Sequence, residues 1–90
     1  MTKEELSTKI LSCDDAVITY RSINSSKLKY NVVTLDFKPK YIQQKTLKAV
    51  EDENTLLVFC WDTDSFKLLK PETVISVIPI SYHLRGPEIE

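Results

Sequence analysis

The chain is poor in the residues that carry most enzyme chemistry. Its 90 residues include one glycine (Gly86), one histidine (His83) and two cysteines (Cys13 and Cys60). A single glycine leaves no glycine-rich loop whose backbone could cradle a phosphate. One histidine and two distant cysteines lack the spacing of a zinc site. They also offer no base beside a nucleophile, so neither a Cys/His nor a Ser/His pair is expected. No apolar run approaches the roughly 20 residues that span a bilayer. The opening MTKEELSTK has no apolar stretch of a secretory signal. The expectation is therefore a cytoplasmic protein with reduced thiols, no membrane partner and no cofactor. The net charge of −1 supplies no global field toward polyanions.

What is present describes a small folded domain. Hydrophobic residues make up 42% and charged residues 28%, a balance that buries a core and rules out disorder. The length supports one domain, expected over residues 1–82, with a tail at 83–90. Charge is distributed in blocks. Lys27, Lys29, Lys38, Lys40, Lys45 and Lys48 face Asp36 alone, and then come Glu51, Asp52, Glu53, Asp62 and Asp64 with no base among them. This predicts one basic and one acidic surface, whether for binding or simply as solvated faces.

The periodicity predicts a helix followed by five strands. Thr2 and Glu5 have capping-box spacing, and Leu6, Ile10 and Leu11 give an apolar stripe, so a helix is expected over about Lys3 to Ser12. Ala16 to Ser22 alternates as a strand, with Ala16, Ile18 and Tyr20 on one face. Asn24-Ser25-Ser26 is turn chemistry. The second strand begins with Leu28, Tyr30 and Val32 apolar, then switches parity to Val33, Leu35 and Phe37, which predicts a bulge or bend. Lys38 to Asn54 reads as a loop with a helical turn or two. Strands are expected at Thr55–Trp61, Phe66–Lys70 and Val74–Ile80, with a short turn at Pro71 and an edge position at Pro79. The fold class is mainly β (α+β): a small SH3-like or Sm-like five-stranded barrel behind one N-terminal helix, with an OB-type barrel as the alternative.

Binding is the expected chemistry. Tyr20, Arg21, Lys27, Lys29, Trp61 and Lys67 place aromatics and bases on adjacent strands, the elements that stack bases and neutralise phosphates. Tyr20, Tyr30 and Phe66 equally suit a core, and Trp61 suits either role. Cys60, inside an apolar run, reads as core. Asp62 and Asp64 could hold a divalent cation, but no third ligand is recognisable, and turn chemistry is the simpler reading.

AVITYRS at 16–22 and LLVFCWDTDSFKLLKPETVISV at 56–77 resemble the WYL-type, Sm-like β-barrel domains of bacterial transcription regulators. They are similar in particular to small single-domain relatives in T-even-type bacteriophages. The matching residues are Val58 to Asp62, Ser65 to Leu68 and Thr73 to Val77. Thr55-Leu56-Leu57 stands where the family has Trp-Tyr-Leu, and Lys67 where it has Arg. The resemblance implies a barrel and a regulatory binding role, in a phage accessory protein acting in the host cytoplasm. The resulting expectation is a non-enzymatic module that binds nucleic acid or a nucleotide through an aromatic-basic face. The alternative is a protein-interaction module, either an inhibitor of a host enzyme or a homo-oligomer.

Overall fold

The computed structural model of the chain describes residues 1–22, 24–45, 47 and 49–81. Lys48 and the expected tail at 83–90 lie outside them. The first helix, α1, spans Lys3–Cys13. The Thr2 hydroxyl accepts the Glu5 amide at 3.1 Å, and the Glu5 carboxylate accepts the Thr2 amide at 2.8 Å. That reciprocal pair is the capping box that the spacing predicts. Leu6 and Ile10 are fully buried. Together they contribute roughly 3–6 kcal/mol as an upper bound. An 11-residue helix is marginal alone, so docking of this face holds it in place. It ends at Asp14, whose φ of 63° is in the left-handed region.

Five strands follow: β1 (Asp15–Arg21), β2 (Leu28–Thr34), β3 (Leu56–Cys60), β4 (Ser65–Leu69) and β5 (Val74–Pro79). They form one antiparallel sheet in the order β4-β3-β2-β1-β5. The molecule is thus mainly β with an N-terminal helix, as expected, and β4 and β5 are the edges of the paired sheet. Pro79 falls on such an edge, where its missing N–H costs no ladder bond. A 3-10 turn at Pro71–Thr73 separates β4 from β5. Among the described residues no helix is long and apolar enough to cross a membrane.

The inner face carries the main core. Ala16, Ile18, Tyr20, Val33, Leu56, Val58, Cys60, Leu69 and Val74 pack with Leu6 and Ile10 of α1. The opposite face holds a separate aromatic cluster around Phe59, which is fully buried. Phe66 and Trp61 meet its ring edge-on at 5.3 and 5.2 Å, Tyr41 does so at 6.5 Å, and Phe37 meets Phe66 at 5.3 Å. Tyr41 belongs to α2 (Lys40–Gln43), the single helical turn within the long connection, and Ile42 beside it is fully buried. Asp64, in the β3–β4 turn with φ 58°, fastens this connection. It accepts from the Tyr41 hydroxyl, and from Lys45 at 2.8 Å.

The expected parity switch in β2 does not occur. Ile18 pairs with Asn31 and Ala16 with Val33, so the odd positions face the core from the start. Asn31 is 7% exposed, whereas Leu28 and Tyr30 are 58% and 68% exposed. The apolar residues at the start of β2 therefore point outward, and a polar one points in. Asn31 tolerates burial because both ends of its amide are bonded. The register shift lies elsewhere, between Thr19 and Tyr20 in the β1–β5 pairing.

Candidate anion-binding groove

The groove arises where β2 and β3 part. They pair only at Val33↔Cys60 and Thr34↔Phe59. The next rung is made by a side chain. The Trp61 amide donates to the Val32 carbonyl at 2.7 Å, and the Val32 amide donates to the Asp62 carboxylate at 3.1 Å. The other Asp62 oxygen accepts from the Asn31 amide group at 2.9 Å, and Asn31 Oδ1 accepts from the Tyr20 hydroxyl at 2.7 Å. The sequence predicted turn chemistry for Asp62. Here its carboxylate instead continues the ladder into β2, while Asp64 serves the α2 connection. The two aspartates thus have separate partners, and among the described residues no group of three His, Cys, Asp or Glu side chains could hold a metal ion.

Beyond that rung, β2 and β4 face each other across two adjoining hollows. The smaller, about 250 Å³, is bordered by Tyr20, Arg21, Lys29, Lys67 and Lys70. The larger, about 580 Å³, is bordered by Tyr20, Lys29, Asn31, Asp62, Ser65 and Lys67, with Tyr30 and Phe66 at its margins. Tyr20, Lys29 and Lys67 border both, so the hollows form one groove. Alternation explains the placement. Lys67 pairs with Val58, and Tyr20 with Lys29, which puts Tyr20, Lys29 and Lys67 on the inner face. The Lys67 ammonium lies 5.4 Å from the centroid of the Tyr20 ring, within cation–π range.

The small hollow is cationic. Arg21, Lys29, Lys67 and Lys70 border it, and no acidic residue does. Among the described residues the ion pairs are Lys3–Glu51 and Lys45–Asp64, so no carboxylate neutralises these four. Arg21 donates one guanidinium N–H to the Ser26 carbonyl at 2.8 Å, which steadies it at the hairpin while leaving further donors. Unpaired cations at the mouth of a concave, partly apolar site are suited to phosphate or carboxylate groups.

Four of the six residues singled out from the sequence thus meet: Tyr20, Arg21, Lys29 and Lys67. Lys27 sits in the hairpin turn and does not border the groove. Trp61 stands apart, on the opposite face. Its indole N–H donates to Asp15 at 3.0 Å and its ring stacks on Tyr41, so its polar and apolar parts are both engaged within the fold. Nor does the basic run from Lys27 to Lys48 form one surface, since Lys29 enters the groove while Lys45 turns to Asp64. Cys60 is core, as expected, and burial pushes its thiol up to about 11.

Sequence reading missed Lys70 and Asn31. Lys70 follows β4 directly, at the start of the 3-10 turn, and borders the small hollow together with Lys67. A lone asparagine amid Leu28, Tyr30, Val32 and Val33 was the available signal for Asn31, because a polar residue that breaks an apolar strand marks either a solvent face or a bonded interior position. The chain matches no protein-family model, no curated protein and no solved structure.

Proposed function

We propose that this protein is a non-enzymatic regulatory binding module that takes nucleic acid or a nucleotide in the groove over Tyr20. The observation that carries the reading is the cationic hollow bordered by Tyr20, Arg21, Lys29, Lys67 and Lys70 with no acid at its border. Lysine and arginine supply the phosphate contacts, and aromatic groups at the groove supply the stacking surface. The meandering strand order, with a 3-10 turn before the last strand, supports an SH3-like or Sm-like barrel as the scaffold. An accessory role in a phage-infected cytoplasm accords with the family resemblance.

The test is fluorescence anisotropy with labelled single-stranded oligonucleotides and with nucleotides at low salt. Binding that weakens as salt rises, with a shallower salt dependence in Lys29→Glu and Lys67→Glu, is the expected result. The absence of binding to every phosphate-bearing probe at low salt would end this reading.

A second reading is a protein-interaction module. It is favoured by β4 and β5, each paired on one side only among the described residues, since open edges accept an added strand. Sedimentation of a strictly monomeric chain, together with an empty pull-down from bacterial lysate, would count against it.

A further inference from the structure

Resting on the reading of the groove as a phosphate site, we infer that its ligand is a single nucleotide bound in one orientation. The phosphates lie in the small hollow and the base lies in the large one. The two hollows share a border but differ in chemistry. The small one has cations and no acid. The large one adds Asp62, Thr63 and Ser65 to the Lys29 and Lys67 that it shares with the small one.

Charge fixes the orientation. Lys29 and Lys67 border both hollows, but a phosphate in the large one would also face the Asp62 carboxylate, whereas in the small one it meets all four cations and no acid. A strand running through the groove would have to place phosphates past both. A nucleotide that ends here does not. The volumes, about 250 and 580 Å³, together fall within the roughly 300–1,000 Å³ of small-ligand sites. Four cations outnumber the charge of one phosphate, so a diphosphate is the better match.

Asp62 also selects the base. Each of its oxygens already accepts one protein hydrogen bond, from the Val32 amide and from the Asn31 amide group. A carboxylate offers about four acceptor sites, so each oxygen retains one. It donates nothing. A base edge with adjacent N–H donors satisfies it, and guanine presents two, at N1 and N2. Uracil presents a single N–H between two carbonyls, which the carboxylate repels.

The experiment is calorimetric titration of the intact chain with GDP, UDP, guanosine, pyrophosphate and an octathymidylate. The expected order places GDP about tenfold or more ahead of pyrophosphate and of UDP, as one good contact to a charged acceptor would give. Lys67→Glu should abolish the GDP signal while circular dichroism stays unchanged. Pyrophosphate binding as tightly as GDP would remove the base site and leave the phosphate site intact. Octathymidylate binding more tightly than GDP would overturn the single-nucleotide reading and leave the nucleic-acid one standing. No binding by any of the five would overturn both.

Discussion

Asp62→Ala is the substitution that most directly tests the structure. The side chain carries two hydrogen bonds, from the Val32 amide at 3.1 Å and from the Asn31 amide group at 2.9 Å. Its removal strands the two donors unequally. Asn31 is 7% exposed, and a buried donor left unpaired costs about 1–3 kcal/mol. The Val32 amide can be rescued by water, so its loss is nearer 0.5–1.5 kcal/mol, approximately the net value of one hydrogen bond. The sum is about 1.5–4.5 kcal/mol, a large share of the roughly 5–15 kcal/mol that holds a domain together. For a chain of this size that lowers Tm by about 6–36 °C.

Asp62→Asn is the control. Its carbonyl still accepts from one donor, while its amide group opposes the other, so about half the cost remains. Urea unfolding followed by circular dichroism reads both variants, and the slope with denaturant should stay at the parent value. A midpoint for Asp62→Ala that leaves stability within about 0.5 kcal/mol of the parent would refute the idea that this carboxylate acts as a ladder rung.

Three further outcomes follow from the packing and the charges. Burial places Cys60 out of reach and pushes its thiol up to about 11; a thiol reagent at neutral pH should therefore titrate the half-buried Cys13 rapidly and Cys60 only after unfolding, whereas two fast equivalents would contradict the burial. Phe59→Ala removes the ring that Tyr41, Trp61 and Phe66 all meet, and should cost about 3–5 kcal/mol by denaturant unfolding; a loss below about 1 kcal/mol would mean that the aromatic face is not packed as described. The hydrogen bond from Lys45, and then that from Tyr41, holds the Asp64 carboxyl below its ordinary 3.8, while Asp64 holds the Lys45 ammonium above its ordinary 10.5. A depressed acid stabilises above its unfolded value and loses that contribution as pH falls through the folded one. A raised base stabilises below its unfolded value and loses that contribution as pH rises through the folded one. Trp61 fluorescence, which reports the stacked Tyr41, should hence be constant between roughly pH 5 and 10 and change outside that window; a transition near pH 7 would contradict the pairing.

Local patterns were legible in the sequence, and long-range partners were not. Thr2 and Glu5 announced their capping box because both members lie within one turn. Ala16, Ile18 and Tyr20 announced the inner face of β1 because alternation fixes parity without knowledge of the neighbour. β2 misled for the same reason. Leu28 and Tyr30 are apolar and β-prone but sit outside, and Asn31 belongs inside only because Tyr20 and Asp62, 11 and 31 residues away, satisfy it. Trp61 is held by Asp15, which lies 46 residues away, so nothing near it in sequence indicated that it was already engaged. The groove was half legible. Tyr20, Arg21, Lys29 and Lys67 carried the right chemistry, but their meeting depends on β2 leaving β3 early, and no local pattern records where two strands separate.

That early separation has a mechanical consequence. β1 and β2 are paired along their full length and β3 and β4 likewise, yet the two pairs share just the rungs Val33↔Cys60 and Thr34↔Phe59, with the Trp61 amide and the Asp62 carboxylate bonding Val32 beyond them. The sheet is therefore a two-leaved book whose binding is shorter than its pages. The shared core, in which Leu6 and Ile10 of α1 pack with inner-face residues of both leaves, and the Trp61–Asp15 hydrogen bond hold the leaves together where the ladder does not. Lys29 rides on one leaf and Lys67 on the other, so the angle between the leaves sets the width of the groove. A group that bridged both lysines would hold that angle at one value.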